Sequence, residues 1–78
     1  PQEERPRLSG RELEVLRGVA AGRTRLAVAH QLGITEGTVK TYLERIRRNY
    51  EAAGRTARST VELYQRAVED GILSADRP

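Results

Sequence analysis

Cysteine is absent from the 78 residues, which excludes disulfides and thiolate metal sites and leaves the redox compartment open. No apolar run approaches the roughly 18 residues needed to span a bilayer, and no leader-like segment precedes the rest, so a cytoplasmic location and no membrane partner are expected. The single histidine, His30, has no ligand cluster or nucleophile near it in sequence and reads as part of a solvated face. No phosphate loop and no metal spacing appear, so the chain is expected to be no enzyme and to carry no cofactor. Strand-like alternation is missing throughout, which points to an all-α fold. Lys40 is the only lysine among 14 basic residues, a bias that a GC-rich genome produces without any functional cause. The chain opens at Pro1 rather than methionine, and it is expected to be cut from a longer protein.

What is present fits one small domain with a modest core. The net charge is +3, and its distribution says more than its sum. Residues 1–35 carry +2, residues 36–59 carry +3 and residues 60–78 carry −2. A polyanion should therefore meet the middle of the chain and avoid its end. Charge that merely keeps a domain soluble is the competing explanation.

Start and stop signals divide the chain into four helices, at about 9–21, 25–32, 36–53 and 60–70. Ser9 and Glu12 stand at the spacing of a capping box, with Leu8 and Leu13 placed for a hydrophobic staple. Leu13, Leu16 and Ala20, with Val19 beside them, form the first apolar stripe, and Gly22 stops the helix. Thr24 caps a short second helix, in which Val28, Ala29 and Leu32 face one way. Thr35 caps the third, whose stripe of Val39, Tyr42, Leu43, Ile46 and Tyr50 runs over about three turns. A basic loop is expected over Arg55–Arg58. Ser59 and Glu62 then propose a second capping box, and Gly71 a final stop. Residues 1–7 read as a linker remnant, 8–73 as the domain and 74–78 as a tail.

Gly33, Ile34 and Thr35 alone separate the second helix from the third, and so short a turn forces a helix-turn-helix. Ala29 supplies the small side chain at the crossing, Gly33 the positive φ, Ile34 a plug for the corner, and Val39 a contact back onto the second helix. A helical hairpin with no nucleic acid partner is the structural alternative. On a helical wheel centred on Val39, Thr41 and Arg48 lie opposite, Glu44 and Arg45 flank them, and Lys40 sits at the edge. Lys40, Thr41 and Glu44 are the candidates for base edges, while Thr38, Arg45 and Arg48 suit phosphates. Thr24 and Thr35, the caps of the second and third helices, complete the candidate DNA-binding set, and the free N–H groups at the start of the third helix can hold a phosphate. Glu44 could instead pair with Lys40 or Arg48 on its own helix. Arg47 lies nearer the buried side and is a weaker candidate.

These residues resemble the LuxR-type (NarL/FixJ, GerE-like) C-terminal helix-turn-helix domain, as found in response regulators. The resemblance runs from Leu8 to about Tyr50 and resumes, less closely, from Ser59 to Leu73. Its opening is Leu8-Ser9-Gly10-Arg11-Glu12-Leu13-Glu14-Val15-Leu16, and its core runs from Val28-Ala29 through Gly33-Ile34-Thr35 to Thr38-Val39-Lys40-Thr41-Tyr42. It implies a four-helix domain with the third helix in the major groove. It also implies base contacts at Lys40, Thr41 and Glu44, a phosphate contact at Thr38, and pairing of two domains through the fourth helix on an inverted repeat. An N-terminal receiver or ligand-sensing domain is implied as well, with RNA polymerase as a further partner. Three departures stand out: Tyr42 in place of the usual histidine, Glu44 in place of a neutral or basic residue, and about four extra residues between Tyr50 and Ser59.

The fourth helix carries two apolar stripes, Val61, Tyr64 and Val68 on one side and Leu63 and Ala67 on the other, with Ile72 continuing the first. One stripe must cover the core, and the other, exposed, would make a homodimer interface; the sequence leaves open which does which. The expected function is sequence-specific binding of double-stranded DNA as the output domain of a bacterial transcription regulator. The alternatives are a promoter-binding module like sigma-factor region four and a protein-interaction module without DNA affinity.

Overall fold

Four local caps set the ends of four helices. In the computed structural model, which describes residues 7–73, these are α1 (Gly10–Ala20), α2 (Arg25–Leu32), α3 (Glu36–Ala52) and α4 (Thr60–Glu69). Apart from Arg7, the expected linker 1–7 lies outside the described residues, as does the tail 74–78. Ser9, Thr24, Thr35 and Ser59 each accept a hydrogen bond from the backbone N–H three residues on, at 3.0–3.1 Å. Each cap of this kind stabilises its helix by about 1 kcal/mol. The Ser9 box is complete, because Ser9 N–H donates to Glu12 at 2.9 Å in return.

The expected box at Ser59 is only half formed. Glu62 turns instead toward the loop and accepts from Arg58 N–H at 2.6 Å and from the Thr56 hydroxyl at 3.2 Å. The first stripe also needs correction. Val15, Leu16, Val19 and Ala20 are buried, whereas Leu13 is only half-buried, because α1 packs against all three other helices and its buried face is broad.

Val15, Leu16, Val28, Val39, Ile46, Tyr50 and Leu63 are the largest fully buried side chains. Burying an aliphatic or aromatic side chain of this size contributes about 1.5–3 kcal/mol. The core is thus a single cluster to which every helix contributes. α1 approaches α2, α3 and α4, and α2 lies against α3, but the backbones of α3 and α4 do not come close.

The segment after α3 is a loop, as expected over Arg55–Arg58, but it is not wholly exposed: Ala57 is fully buried, and Arg55 is tied to Glu69 of α4 and to Asp70 at its C-cap. One further expectation changes. Ile72 does not extend the outer stripe. Gly71 turns the chain at a φ of 75°, the N–H groups of Ile72 and Leu73 donate to the Ala67 carbonyl, and both side chains fold back onto the core.

Candidate nucleic-acid interface

The corner between α2 and α3 decides which face of α3 is free. Gly33 adopts a φ of 69° and a ψ of 33°, a left-handed conformation that other residues take only at a cost. The Ile34 N–H then reaches the Ala29 carbonyl at 3.0 Å, and Ile34 packs partly against the core. Ala29 and Val39 are buried on either side of this turn, as the spacing predicted. With α2 seated on α3, the inner stripe of Val39, Leu43, Ile46 and Tyr50 is sealed, and Tyr42 is half-buried at its margin.

The opposite face is open. Lys40, Thr41, Glu44, Arg45 and Arg48 are all exposed, and Thr38 is half-buried at the start of the helix. No ion pair among the described residues joins Glu44 to Lys40 or Arg48, so its carboxylate is not committed to its own helix. The Arg45 guanidinium lies 5.8 Å from the centre of the Tyr42 ring, within cation–π range, so Tyr42 gives this arginine a platform.

The threonines are already partly engaged. Thr41 donates its hydroxyl to the Gly37 carbonyl at 3.1 Å, which leaves its oxygen as an acceptor. Thr35 and Thr38 share one hydroxyl–hydroxyl hydrogen bond of 2.9 Å while Thr35 also accepts the Thr38 N–H. Whichever hydroxyl donates in that pair, one proton remains for an outside acceptor. Thr24 is exposed, and its oxygen accepts the Ala27 N–H.

Residues from α2 border this surface that sequence reasoning did not select. Arg25 lines a hollow with Glu36, Gly37 and Lys40, so the start of α2 supplies a cation beside the start of α3. Its place directly after the Thr24 cap was the available signal, since that position must share whatever surface the cap faces. Arg23 is exposed nearby and donates to Gln31.

The α4 candidates separate cleanly. Leu63 and Ala67 are 0% exposed and belong to the core, so they are removed from the expected interface. Val61 is 65% exposed and Tyr64 38%, with Val68 half-buried beside them, which makes this the outer stripe.

A four-helix domain with a tight α2–α3 corner and an uncommitted polar face on α3 is thus in place. The sequence model of the GerE family, the luxR family of bacterial regulatory proteins, matches residues 6–67. The chain belongs to this family. No curated protein and no solved structure matches the chain significantly. LuxR-family domains are helix-turn-helix DNA-binding modules of transcription regulation, not enzymes, and their partner is double-stranded DNA. Among the described residues, no helix is long and apolar enough to cross a membrane.

Proposed function

We propose that this LuxR-family domain binds double-stranded DNA sequence-specifically, with α3 lying in the major groove. One observation carries the reading: the side of α3 opposite its sealed stripe holds Lys40, Thr41, Glu44, Arg45 and Arg48, all exposed. An α-helix fits the major groove, and its N-terminal half is the part that reaches base edges. Lys40 donates to guanine O6 or N7. Glu44 accepts from cytosine N4. Thr41, its proton spent on Gly37, accepts from a base amino group or sets its methyl against that of thymine. Thr38, Arg45 and Arg48 hold phosphates, with Thr24 and Thr35 contributing at the helix starts.

In this reading the domain is the output of a response regulator, controlled by a receiver or sensor domain and acting on RNA polymerase. It works as a homodimer on an inverted repeat, paired through Val61, Tyr64 and Val68. The exposed apolar stripe supports the pairing; the family supports the rest.

Selection of binding sites from random duplexes, followed by titration of the chosen site with the native chain and with Lys40→Ala, tests the assignment. The expected result is a two-fold symmetric site and a loss of about 1–3 kcal/mol on that site alone for Lys40→Ala. Equal losses on all duplexes would make Lys40 a phosphate contact. Failure of the native chain to enrich any sequence would end the reading.

A further inference from the structure

We propose that the ring of Tyr42 is a positioning element for DNA binding, which holds the Arg45 guanidinium ready for a backbone phosphate without cancelling its charge. The proposal rests on the functional reading above, in which Arg45 meets a phosphate. It adds Tyr42, which that reading does not use.

The helix builds the pair. Tyr42 stands three residues before Arg45, so the two side chains are neighbours on the surface of α3. Side chains on a helix lean toward its N-terminus, which carries Arg45 back over the turn that bears Tyr42. The guanidinium carbon lies 5.8 Å from the ring centre, within cation–π range. Tyr42 is half-buried and packs against the core, whereas Arg45 is exposed. An anchored ring thus carries a cation that is open to solvent.

An acid is the other way to fix an arginine, and this chain uses it elsewhere. Arg11 pairs with Glu14, and Arg66 with Glu69, each at the same three-residue spacing. Arg45 has no such neighbour. The residues three and four places away along α3 are Thr41, Tyr42, Arg48 and Asn49, and no ion pair among the described residues includes Arg45. The difference matters when the ligand is a polyanion. A carboxylate positions an arginine but cancels its charge. An aromatic ring attracts the cation and leaves that charge for a phosphate.

The pair is also well placed. On a helical wheel centred on Val39, Tyr42 and Arg45 lie on the flank opposite Lys40. A helix in the major groove runs between two sugar-phosphate backbones, so its flanks are the sides that meet phosphates. Arg45 therefore faces the strand on the side away from Lys40. Holding it there in advance removes part of the cost of ordering a long side chain on binding.

Affinity for the selected duplex, and its dependence on salt, are measured for the native chain, Tyr42→Phe, Tyr42→Leu, Arg45→Ala and the double variant that combines Tyr42→Leu with Arg45→Ala. Thermal melting checks each fold. Tyr42→Gln, suited to a site half open to water, takes the place of Tyr42→Leu if leucine lowers the melting temperature. The Arg45 Nε–H resonance of the free protein reads the stacking directly, through the ring-current shift.

Tyr42→Phe keeps the ring and should bind within about twofold of native. Tyr42→Leu should weaken binding about two- to tenfold, the cost of ordering one long side chain. Its salt slope should stay native, because the charge remains, whereas Arg45→Ala should flatten the slope by about 0.9. Once Arg45 is alanine, the leucine change should add nothing. The Arg45 resonance should lose its ring-current shift in Tyr42→Leu and keep it in Tyr42→Phe. Equal losses for phenylalanine and leucine would assign the effect to the hydroxyl and overturn the positioning role. So would a leucine loss that persists without Arg45, or no leucine loss while Arg45→Ala still flattens the slope. A native slope for Arg45→Ala would remove Arg45 from the phosphates, and the inference with it, while DNA binding itself stands. If the native chain ignores every duplex, the functional reading fails first and this inference falls with it.

Discussion

The hydroxyl of Tyr50 donates a 2.8 Å hydrogen bond to Asp70, joining the last turn of α3 to the C-cap of α4. Because the two helix backbones do not approach each other, side chains must make this connection. Arg55 reinforces it. Its guanidinium donates to Asp70 at 3.2 Å and to Glu69 at 2.9 Å, and lies 5.1 Å from the Tyr50 ring centre. Burial works against the Arg55 charge, but the hydrogen bonds to Asp70 and Glu69 outweigh it and hold the group protonated above its ordinary range. The helix proposed to read bases and the helix proposed to pair are thus coupled through one largely buried polar cluster.

Asp70→Ala takes from the Arg55 guanidinium a buried carboxylate that lies 2.9 Å away. We expect a loss of about 3–5 kcal/mol, a large part of a small domain's total stability. Tyr50→Phe removes one hydrogen bond to a charged acceptor that keeps its arginine, and should cost about 1.5–3 kcal/mol. Denaturant unfolding of both variants checks the order. Equal or negligible losses would mean the cluster does not hold the two helices together.

Gly18 lies in the last turn of α1, a helical position where alanine is ordinarily favoured by up to about 1 kcal/mol. Here a Cβ would stand 2.8 Å from Cγ2 of Val28, a stiff side chain that is 1% exposed. The glycine therefore lets α1 and α2 pack closely, and Gly18→Ala should destabilise by about 1–3 kcal/mol despite its better helix propensity. Val28→Ala removes the obstructing methyl groups. In the double variant the two losses should fall short of additivity, as measured by a double-mutant cycle. Full additivity would mean the two positions do not meet.

Features written in local sequence were legible, and features made by distant neighbours were not. The caps at Ser9, Thr24, Thr35 and Ser59 bridge three residues each, so their spacing announced the helices to within a residue or so at each end. The Gly33 corner and the α3 stripe were readable for the same reason. The ion pairs of Arg55 could not be read from its basic loop, because its partners lie 14 and 15 positions away. The two stripes of α4 were visible, but a helical wheel cannot say which faces inward; that depends on α1, against which Leu63 and Ala67 are buried.

Glu62 gives the acid limb of stability a specific contributor. Hydrogen bonding from the Arg58 N–H comes first, and with the favourable influence of the nearby Ser59 backbone and the Thr56 hydroxyl it lowers the carboxyl below the ordinary 4.5 despite some opposition from desolvation. A depressed folded-state value means the stabilisation is fully present above the unfolded value and is lost as pH falls through the folded one. Glu62→Gln should therefore flatten the melting-temperature profile below about pH 4.5 relative to the native chain. Parallel profiles for the two proteins would show that the loop gains nothing from the charge.

Tyr64 and Leu63 are neighbours in sequence and opposite in consequence. Leu63 is 0% exposed in the α1–α4 contact, so Leu63→Glu places an unpaired carboxylate in the core and should abolish folding, seen as loss of the helical signal and of cooperative melting. Tyr64 is 38% exposed beside Val61 at 65%, and Tyr64→Glu should leave melting within about 0.5 kcal/mol of native. If the outer stripe pairs two domains, the same change should shift the sedimentation profile to monomer and lower affinity for a two-half site duplex, while affinity for a single half-site is retained. Equal losses on full and half sites would place Tyr64 at the DNA rather than at a second domain, because a pairing contact acts only when two copies are bound side by side.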